Sequence, residues 1–596
     1  MDSCITKLLP DDRPAACYFN GWIRCEASVP GAKGDAINTK IRRSKMNKEF
    51  NKLADDILEF CWKDRPVMAT MLGVHKYDDK LDKTDLESRK RHLKKTKEYL
   101  KRLDKFSPAL RTAKSGLSKD QAMDWKILKN SLQVEIAEEL NLRRFKRNAL
   151  VYPQTALRGC YVLVMRDFAP LSRRMKSLLR RLKQIPRFMK QGQKNLSGGR
   201  DIPKTWTQIA IHTSAGGGEF FKRIIPQFAA KVPRLKKELL AANDKAIKAF
   251  AEYEEFLKSR LLARSKGDFA VGRRFFDFLL KKQHQLPYTS GDLLKIGNRM
   301  IKQTQKEMRS VAKRIDPKKN YARILEDLNK KHPAKDGLLD FYKKEVKRAR
   351  NFVRKKDLLT IQKGEALSVI ETPVFNRRNV PFAAYMAPDP FQKRKRGFFW
   401  VTPVDEKLSP EKQEEQLQGH SIYGAVVIAV HECYPGHHVQ LTDGRKVKSK
   451  VRRWFGTPLF AEGWALYCEQ MMYEQGFFKK PERRLFQLRN QLIRACRVVI
   501  DVGLQTRRMS FKQAVEMLVK VAKLDPIRAA GEVRFYCHMP TYPMSYTLGK
   551  LEILKLREDY KKAKGRAFDL KEFHDNLLSY GSIPVQLIRE RMLERS

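Results

Sequence analysis

The chain has 596 residues, 42% of them hydrophobic, and a formal net charge of +56. That is enough apolar material for a large buried core, while the absence of any run of about eighteen apolar residues excludes a membrane-spanning helix. Lysine and arginine are spread over nearly every expected helix, and no zinc finger, RNP motif or basic zipper is present; no specific nucleic-acid partner is therefore expected, only weak, non-specific polyanion binding. Nine cysteines with no C-x-x-C pair fit reduced thiols. The N-terminus shows no charged start followed by an apolar stretch, so the expected location is cytoplasmic.

Residues 1–46 lack periodicity and hold Cys4, Cys17 and Cys25 without a histidine; they read as an extension. From Asn47 the residues Phe50, Leu53, Ile57, Leu58 and Cys61 recur at three- and four-residue steps, the stripe of an amphipathic helix. Similar stripes over Asp120–Leu142, Leu171–Lys194, Ile225–Leu262 and Thr289–Ile315 predict a helical domain over 47–362, forming one wall of a cleft. Breakers fall at Ser197–Gly199, Pro203, Ser214–Gly218 and Leu286-Pro287. The triple glycine Gly216–Gly218 has no following Gly-Lys-Ser/Thr, so it is read as a junction between helices and not as a phosphate loop.

After Lys363 the texture changes. Leu367–Val374 and Gly397–Val404 are rich in β-branched and aromatic residues and predict strands flanking the proline-bounded segment Pro381–Pro390. An edge strand of such a sheet can hold an extended peptide by main-chain hydrogen bonds; a purely structural hairpin is the alternative.

Next comes Ile422–Val430, hydrophobic on every side and hence a buried helix. It runs into His431-Glu432, the opening of the zinc-hydrolase signature H-E-x-x-H. The position of the second histidine is Pro435, and His437 and His438 follow. On a straight helix six or seven residues rise roughly 9–10.5 Å, too far for two imidazoles that must each come within about 2.0–2.1 Å of one zinc. The helix must therefore bend at Pro435-Gly436. His437 is expected to swing back toward His431, with His438 as its alternate. Glu462, the lone acid of the apolar stretch Leu459–Tyr467, is the third candidate ligand, because a bare buried carboxylate is costly unless a metal or partner compensates it. Helices are expected again over Leu485–Val502, Ser510–Val521, Pro526–Phe535 and Tyr546–Lys561. Between the last two lies a loop dense in hydrogen-bonding groups, with Arg534, His538, Tyr542 and Tyr546.

HECYPGHHVQ followed by FAEGWALY resembles the HExxPGHH…EGWAxY pattern of the domain-of-unknown-function 885 family, mainly bacterial proteins regarded as zinc metallopeptidases. The likeness continues in Asp64–Gly73, Arg166–Leu171, Glu371–Val374, Pro381–Tyr385 and Pro540–Lys550, and spans roughly residues 47–596. It implies a mainly α, large helical zincin-like (gluzincin-type) metallopeptidase fold, with a small β-sheet next to the metal-binding helix and the catalytic region over 363–596. One zinc would be held by His431, His437 (or His438) and Glu462. Glu432 would act as general base, and Tyr546, with Tyr542 and His538 as substitutes, would donate to a developing oxyanion. Arg534 or Arg497 would clamp a substrate carboxylate, Arg534 being equally readable as a structural ion pair. The expected activity is hydrolysis of short peptides. The rival readings are a lapsed, basic scaffold protein on the same fold and a hydrolase of a non-peptide amide.

Overall fold

A computed structural model describes residues 32–107, 116–373, 377, 380, 382–392 and 396–594, with side chains from residue 44 onward. Residues 1–31 of the expected extension lie outside this set. The first helix, α1 (Ala32–Asp64), begins inside the segment set apart at 1–46 and carries the Phe50–Cys61 stripe into the core.

Helices α2 (Leu86–Asp104) and α3 (Lys119–Asn141) pack beside α1. The start of α3 is fixed by a capping box in which Ser118 accepts from the Gln121 backbone and Gln121 returns the bond, a device worth about 1 kcal/mol. Four helices follow: α4 (Val151–Met165), α5 (Leu171–Leu196), α6 (Lys204–Ala229) and α7 (Pro233–Glu255). They enclose a core of their own around Tyr152, Leu178, Phe221, Phe250 and Tyr253. Here the sequence misleads twice. Gly216–Gly218 lie inside α6, and the expected single stripe Ile225–Leu262 is split at Val232-Pro233. The reason is tertiary. A Cβ on Gly217 would lie 2.4 Å from the Phe250 ring, so the glycine lets α6 and α7 approach closely, and the helix pays only the modest propensity cost of its glycines.

Helices α8 (Ser290–Ile315) and α9 (Leu338–Lys355) return the chain to the first core. Strands β1 (Ala366–Glu371), β2 (Ala383–Met386) and β3 (Arg396–Val401) then form a sheet in the order β1-β3-β2. β1 runs parallel to β3 in the register Ala366↔Arg396, and β2 runs antiparallel to it in the register Ala383↔Val401. The two expected strands are present; β2, only four residues long inside the proline-bounded segment, is additional. The parallel β1–β3 pair excludes a plain hairpin, and buried Phe399, Trp400 and Val401 make β3 the central strand.

Six of the helices that follow build the candidate site: α10 (Gly424–Glu432), α11 (His437–Asp443), α12 (Pro458–Glu474), α13 (Pro481–Gln505), α14 (Pro526–Tyr536) and α15 (Ser545–Lys564). The fold is mainly helical with one small sheet, and its largest core joins residues from Phe50 to Met592 across position 363. No described helix is long and apolar enough to cross a membrane.

Candidate metal centre

α10 is apolar all round, and Ala425, Val426, Val427, Ala429 and Val430 are buried. It stops where Cys433 leaves helical geometry (φ −115°, ψ −90°) and Pro435 offers no backbone N–H. The chain then folds back on itself. Gly436 donates its N–H to the Val430 carbonyl at 3.0 Å, and a Cβ at this position would sit 1.8 Å from the His431 carbonyl oxygen. Only glycine fits so close an approach. Trp464 of α12, fully buried, secures the turn by donating Nε1–H to the Pro435 carbonyl at 3.0 Å. Because of this break α11 restarts with His437 facing His431, their ring centroids 5.0 Å apart and nearly perpendicular.

The third group comes from α12. Thr457 caps this helix and Pro458 opens it. Gly463 meets Gly549 of α15 so closely that a Cβ on either would collide with the other's backbone. That contact sets Glu462 against Tyr542 and Tyr546. Glu462 Oε2 lies 3.4 Å from His437 Nε2 and 3.8 Å from His431 Nε2, and its Oε1 accepts the Tyr542 hydroxyl at 2.6 Å.

The far side of each imidazole is tied down. His431 Nδ1–H donates to Glu469 Oε1 at 2.8 Å. His437 Nδ1–H donates to Gln440 Oε1 at 3.3 Å, and Gln440 is held by Ser582. Both Nε2 atoms therefore face the Glu462 carboxylate, where either a shared proton or a cation can sit between them. Three acceptor atoms converge within 4.8 Å of one another, an arrangement that calls for a cation. Ligand atoms at about 2.1 Å from one tetrahedral ion are roughly 3.4 Å apart, so the spacing fits zinc, and the orienting carboxylate on His431 is the partner such ligands commonly have. The electrostatics agree. Burial works against the protonated form of His431, yet hydrogen bonds to Glu462 and Glu469 raise its pKa to about 9. Burial likewise opposes the Glu462 carboxylate, but His431 and His437 hold it well below the usual range.

His438 is not part of the group. Its Nε2–H donates to Glu365 Oε2 at 2.6 Å and its Nδ1 accepts the Tyr385 hydroxyl of β2 at 3.0 Å. Glu365 also accepts from Tyr434 and Arg350. Burial would raise its pKa, but His438 and Tyr434 bring it down to about 2. This network anchors α11 and the sheet to the back of the centre.

Glu432, the last residue of α10, is half-buried and has no ion pair among the described residues. The Tyr546 ring lies nearly parallel to that of His431, 6.4 Å away. Burial and the Glu462 charge raise the pKa of Tyr546, so its hydroxyl stays a donor. Tyr542, expected at the substrate, instead donates its hydroxyl to Glu462 and braces that carboxylate. His538 turns away: its Nδ1–H donates to the Arg534 carbonyl at 3.2 Å and its ring meets Phe535 edge-on. Arg534 is exposed with no ion pair among the described residues; the ion pair belongs to Arg497, which binds Glu532 at 2.7 Å and the Tyr536 hydroxyl at 2.8 Å. Sequence reasoning missed Glu469, Gln440 and Glu365. Glu469 had a signal: it follows Glu462 by two helical turns, on the same face.

Known proteins can now be set beside this geometry. The family described as "Bacterial protein of unknown function (DUF885)" matches residues 66–592. None of the curated proteins matches the chain. Two solved structures are similar over their whole lengths. One, described as a putative lipoprotein of unknown function from Shewanella oneidensis, is 26% identical, with a TM-score of 0.77 over 91% of this chain and 99% of its own. The other, a putative lipoprotein from Colwellia psychrerythraea, is 18% identical with a TM-score of 0.78, covering 92% and 100%; at that identity the likeness is one of fold.

Proposed function

The chain belongs to the family of bacterial proteins of unknown function designated DUF885, and we propose that it is a zinc-dependent peptidase with a zincin-like, gluzincin-type catalytic region, acting on short peptides. The observation that carries this reading is the convergence of the two Nε2 atoms and Glu462 Oε2, with the opposite nitrogen of each imidazole already bonded. His431, His437 and Glu462 would hold the ion. When bound, zinc supplies Lewis acidity toward a scissile carbonyl and makes water nucleophilic at neutral pH.

The chain's own residues do the rest. Glu432, next to His431, takes a proton from the attacking water and passes it to the leaving amine. The Tyr546 hydroxyl donates to the carbonyl oxygen as negative charge builds there, an interaction stronger in the transition state than in the ground state. Tyr542, Glu469 and Gln440 are positioning residues that fix Glu462 and the imidazole tautomers. An extended substrate finds an edge strand in β2, whose Tyr385 reaches the anchoring His438.

The test is direct. Purified full-length protein is expected to carry about one zinc per chain and to hydrolyse short peptides; chelation stops turnover and zinc restores it. Absence of bound zinc together with absence of turnover would leave the lapsed-scaffold reading in its place. Location belongs to the same proposal. The six described cysteines are all free and buried, which suits a reducing cytoplasm. The similar structures are described as putative lipoproteins, so fractionation of the native cells decides between the two.

A further inference from the structure

Beside Tyr546 the chain gathers four arginines: Arg489, Arg494 and Arg497 from α13 and Arg528 from α14. The guanidinium groups of Arg497 and Arg494 lie over the Tyr546 ring, 4.8 and 5.7 Å from its centroid. Arg489 lies 5.8 Å over Phe486, and Arg528 lies 5.5 Å over Phe382, the residue before β2. The Tyr546 ring thus stands between Arg494 and Arg497 on one side and His431 on the other.

The cluster is short of anions. Glu532 is bonded to Arg497 and Tyr536 and its charge also reaches Arg528, where Asp525 adds less; neither acid is among the causes that act on Arg489. Arg489, Arg494 and Arg528 have no ion pair among the described residues. Arg494 makes one long bond to the Asn490 carbonyl of its own helix, at 3.3 Å, and its buried Nε has no partner. Burial and the neighbouring guanidinium groups of Arg528 and Arg494 push the Arg489 pKa down to about 10. Arg489 and Arg494 are half-buried while Arg528 is exposed at the rim, and partly buried, mutually repelling, unpaired guanidinium groups such as the first two are costly. A carboxylate relieves that cost, because the planar fork of arginine matches it with two parallel hydrogen bonds.

We propose that Arg489, Arg494 and Arg528 form a carboxylate-binding subsite next to the metal centre, so that the substrates are peptides with a carboxylate one or two residues beyond the scissile bond, in the first place a free C-terminus. The assignment rests on the hydrolase reading for the position of the scissile bond. Successive Cα atoms are about 3.8 Å apart, so such a carboxylate reaches past Tyr546 while the carbonyl stays at the centre. Arg497, held by Glu532 and Tyr536, braces the cluster and is not its free arm.

Calorimetry on the full-length Glu432→Gln protein, which removes the proposed base, measures binding without turnover. The probes are N-acetyl-dialanine, its C-terminal amide, and N-acetyl-alanyl-aspartyl amide, which moves the carboxylate to a side chain. The free acid should bind at least about tenfold more tightly than the amide, as expected of a charge-assisted bidentate pair. Adding Arg494→Gln should erase that ratio while leaving amide binding and zinc content unchanged; Arg494→Lys should keep part of it. Preference for the aspartyl amide over the neutral amide, without preference for the free acid, would keep the subsite and assign it to an acidic side chain. Equal binding of all three probes, or a preference that survives Arg489→Gln with Arg494→Gln, overturns it. Turnover by the wild-type chain separates the two claims: equal hydrolysis of acid and amide removes the subsite and keeps the peptidase, and selective binding without hydrolysis does the reverse.

Discussion

Among the described residues, two groups of three metal-capable side chains each fall within 4.8 Å: His431, His437 and Glu462, and far from them in the chain Asp64, His92 and Glu135. By distance alone they are equals, yet their surroundings divide them. In the first, each imidazole spends its Nδ1–H on a neighbour outside the group, and both Nε2 atoms face one carboxylate. In the second, His92 turns both nitrogens to acids of the group itself, Nε2 hydrogen-bonded to Glu135 at 2.7 Å and Nδ1 in ion-pair contact with Asp64 at 3.0 Å. Its acids are already neutralised, Glu135 by Arg65 and Asp64 by Arg89 at 3.0 Å. The first group thus turns three acceptors toward one point, whereas the second already holds its cations in Arg65 and Arg89. Proximity of His, Asp and Glu does not define a metal site; the direction of the imidazole lone pairs does.

The sharpest way to break this contrast is to remove one histidine from each group. His431→Ala should lower bound zinc from about one per chain to near zero by elemental analysis, since a three-ligand site loses a ligand. His92→Ala should leave it unchanged. Zinc lost equally from both variants would mean that the contrast is wrong. Next in size comes the base. Glu432→Gln should keep its zinc and lose about 10²–10⁴-fold in kcat, the usual worth of a general base. Full activity in that variant would sink the mechanism.

What the sequence disclosed follows the same division. The members of the first group are local signals: His431, the Pro435-Gly436 break and Glu462 could be read from spacing and from the cost of a lone acid in an apolar helix. The bonds that decide between candidates are not local. His438 is drawn off by Glu365, 73 residues away, and by Tyr385, 53 away; Gln440 is held by Ser582, 142 away. No single-sequence periodicity carries such pairs. The junction expected at Gly216–Gly218 failed for the same reason, because Phe250 on the next helix packs on Gly217 and reverses its local meaning. Helix boundaries were read within a few residues where a cap is written in the chain, as at Ser510 before Phe511–Lys520.

A smaller effect tests the outer bonds of the first group. Glu469 is fully buried and touches no substrate; it acts through His431. Glu469→Gln keeps an acceptor for Nδ1–H but removes the charge, and should weaken zinc binding about tenfold, with Glu469→Ala approaching a hundredfold, the range known for orienting partners. Competition with a chromophoric chelator reads both. Unchanged affinity in the alanine variant would reduce Glu469 to a packing residue.

The smallest expected effect concerns the second group, whose role in this reading is stability. Burial disfavours both of its carboxylates, yet His92 and Arg89 bring Asp64 to about 2, and Arg65 and His92 bring Glu135 to about 2. Both values are depressed, so their contribution is fully present above the unfolded values near 4 and is lost as pH falls toward 2. His92 has the opposite sign. Burial opposes its charge, but Asp64 and Glu135 raise its pKa; its contribution is full below about 6.5 and fades as pH rises through the raised value. At pH 5–6 all three act together, on the order of a few kcal/mol. Glu135→Gln should therefore lower the urea midpoint most at pH 5–6, and the gap from wild type should close as both proteins are taken toward pH 2. A gap that stays constant down to pH 2.5 would show that Glu135 gains nothing from its charge, and the second group would no longer be an ion-paired counterpart to the metal centre.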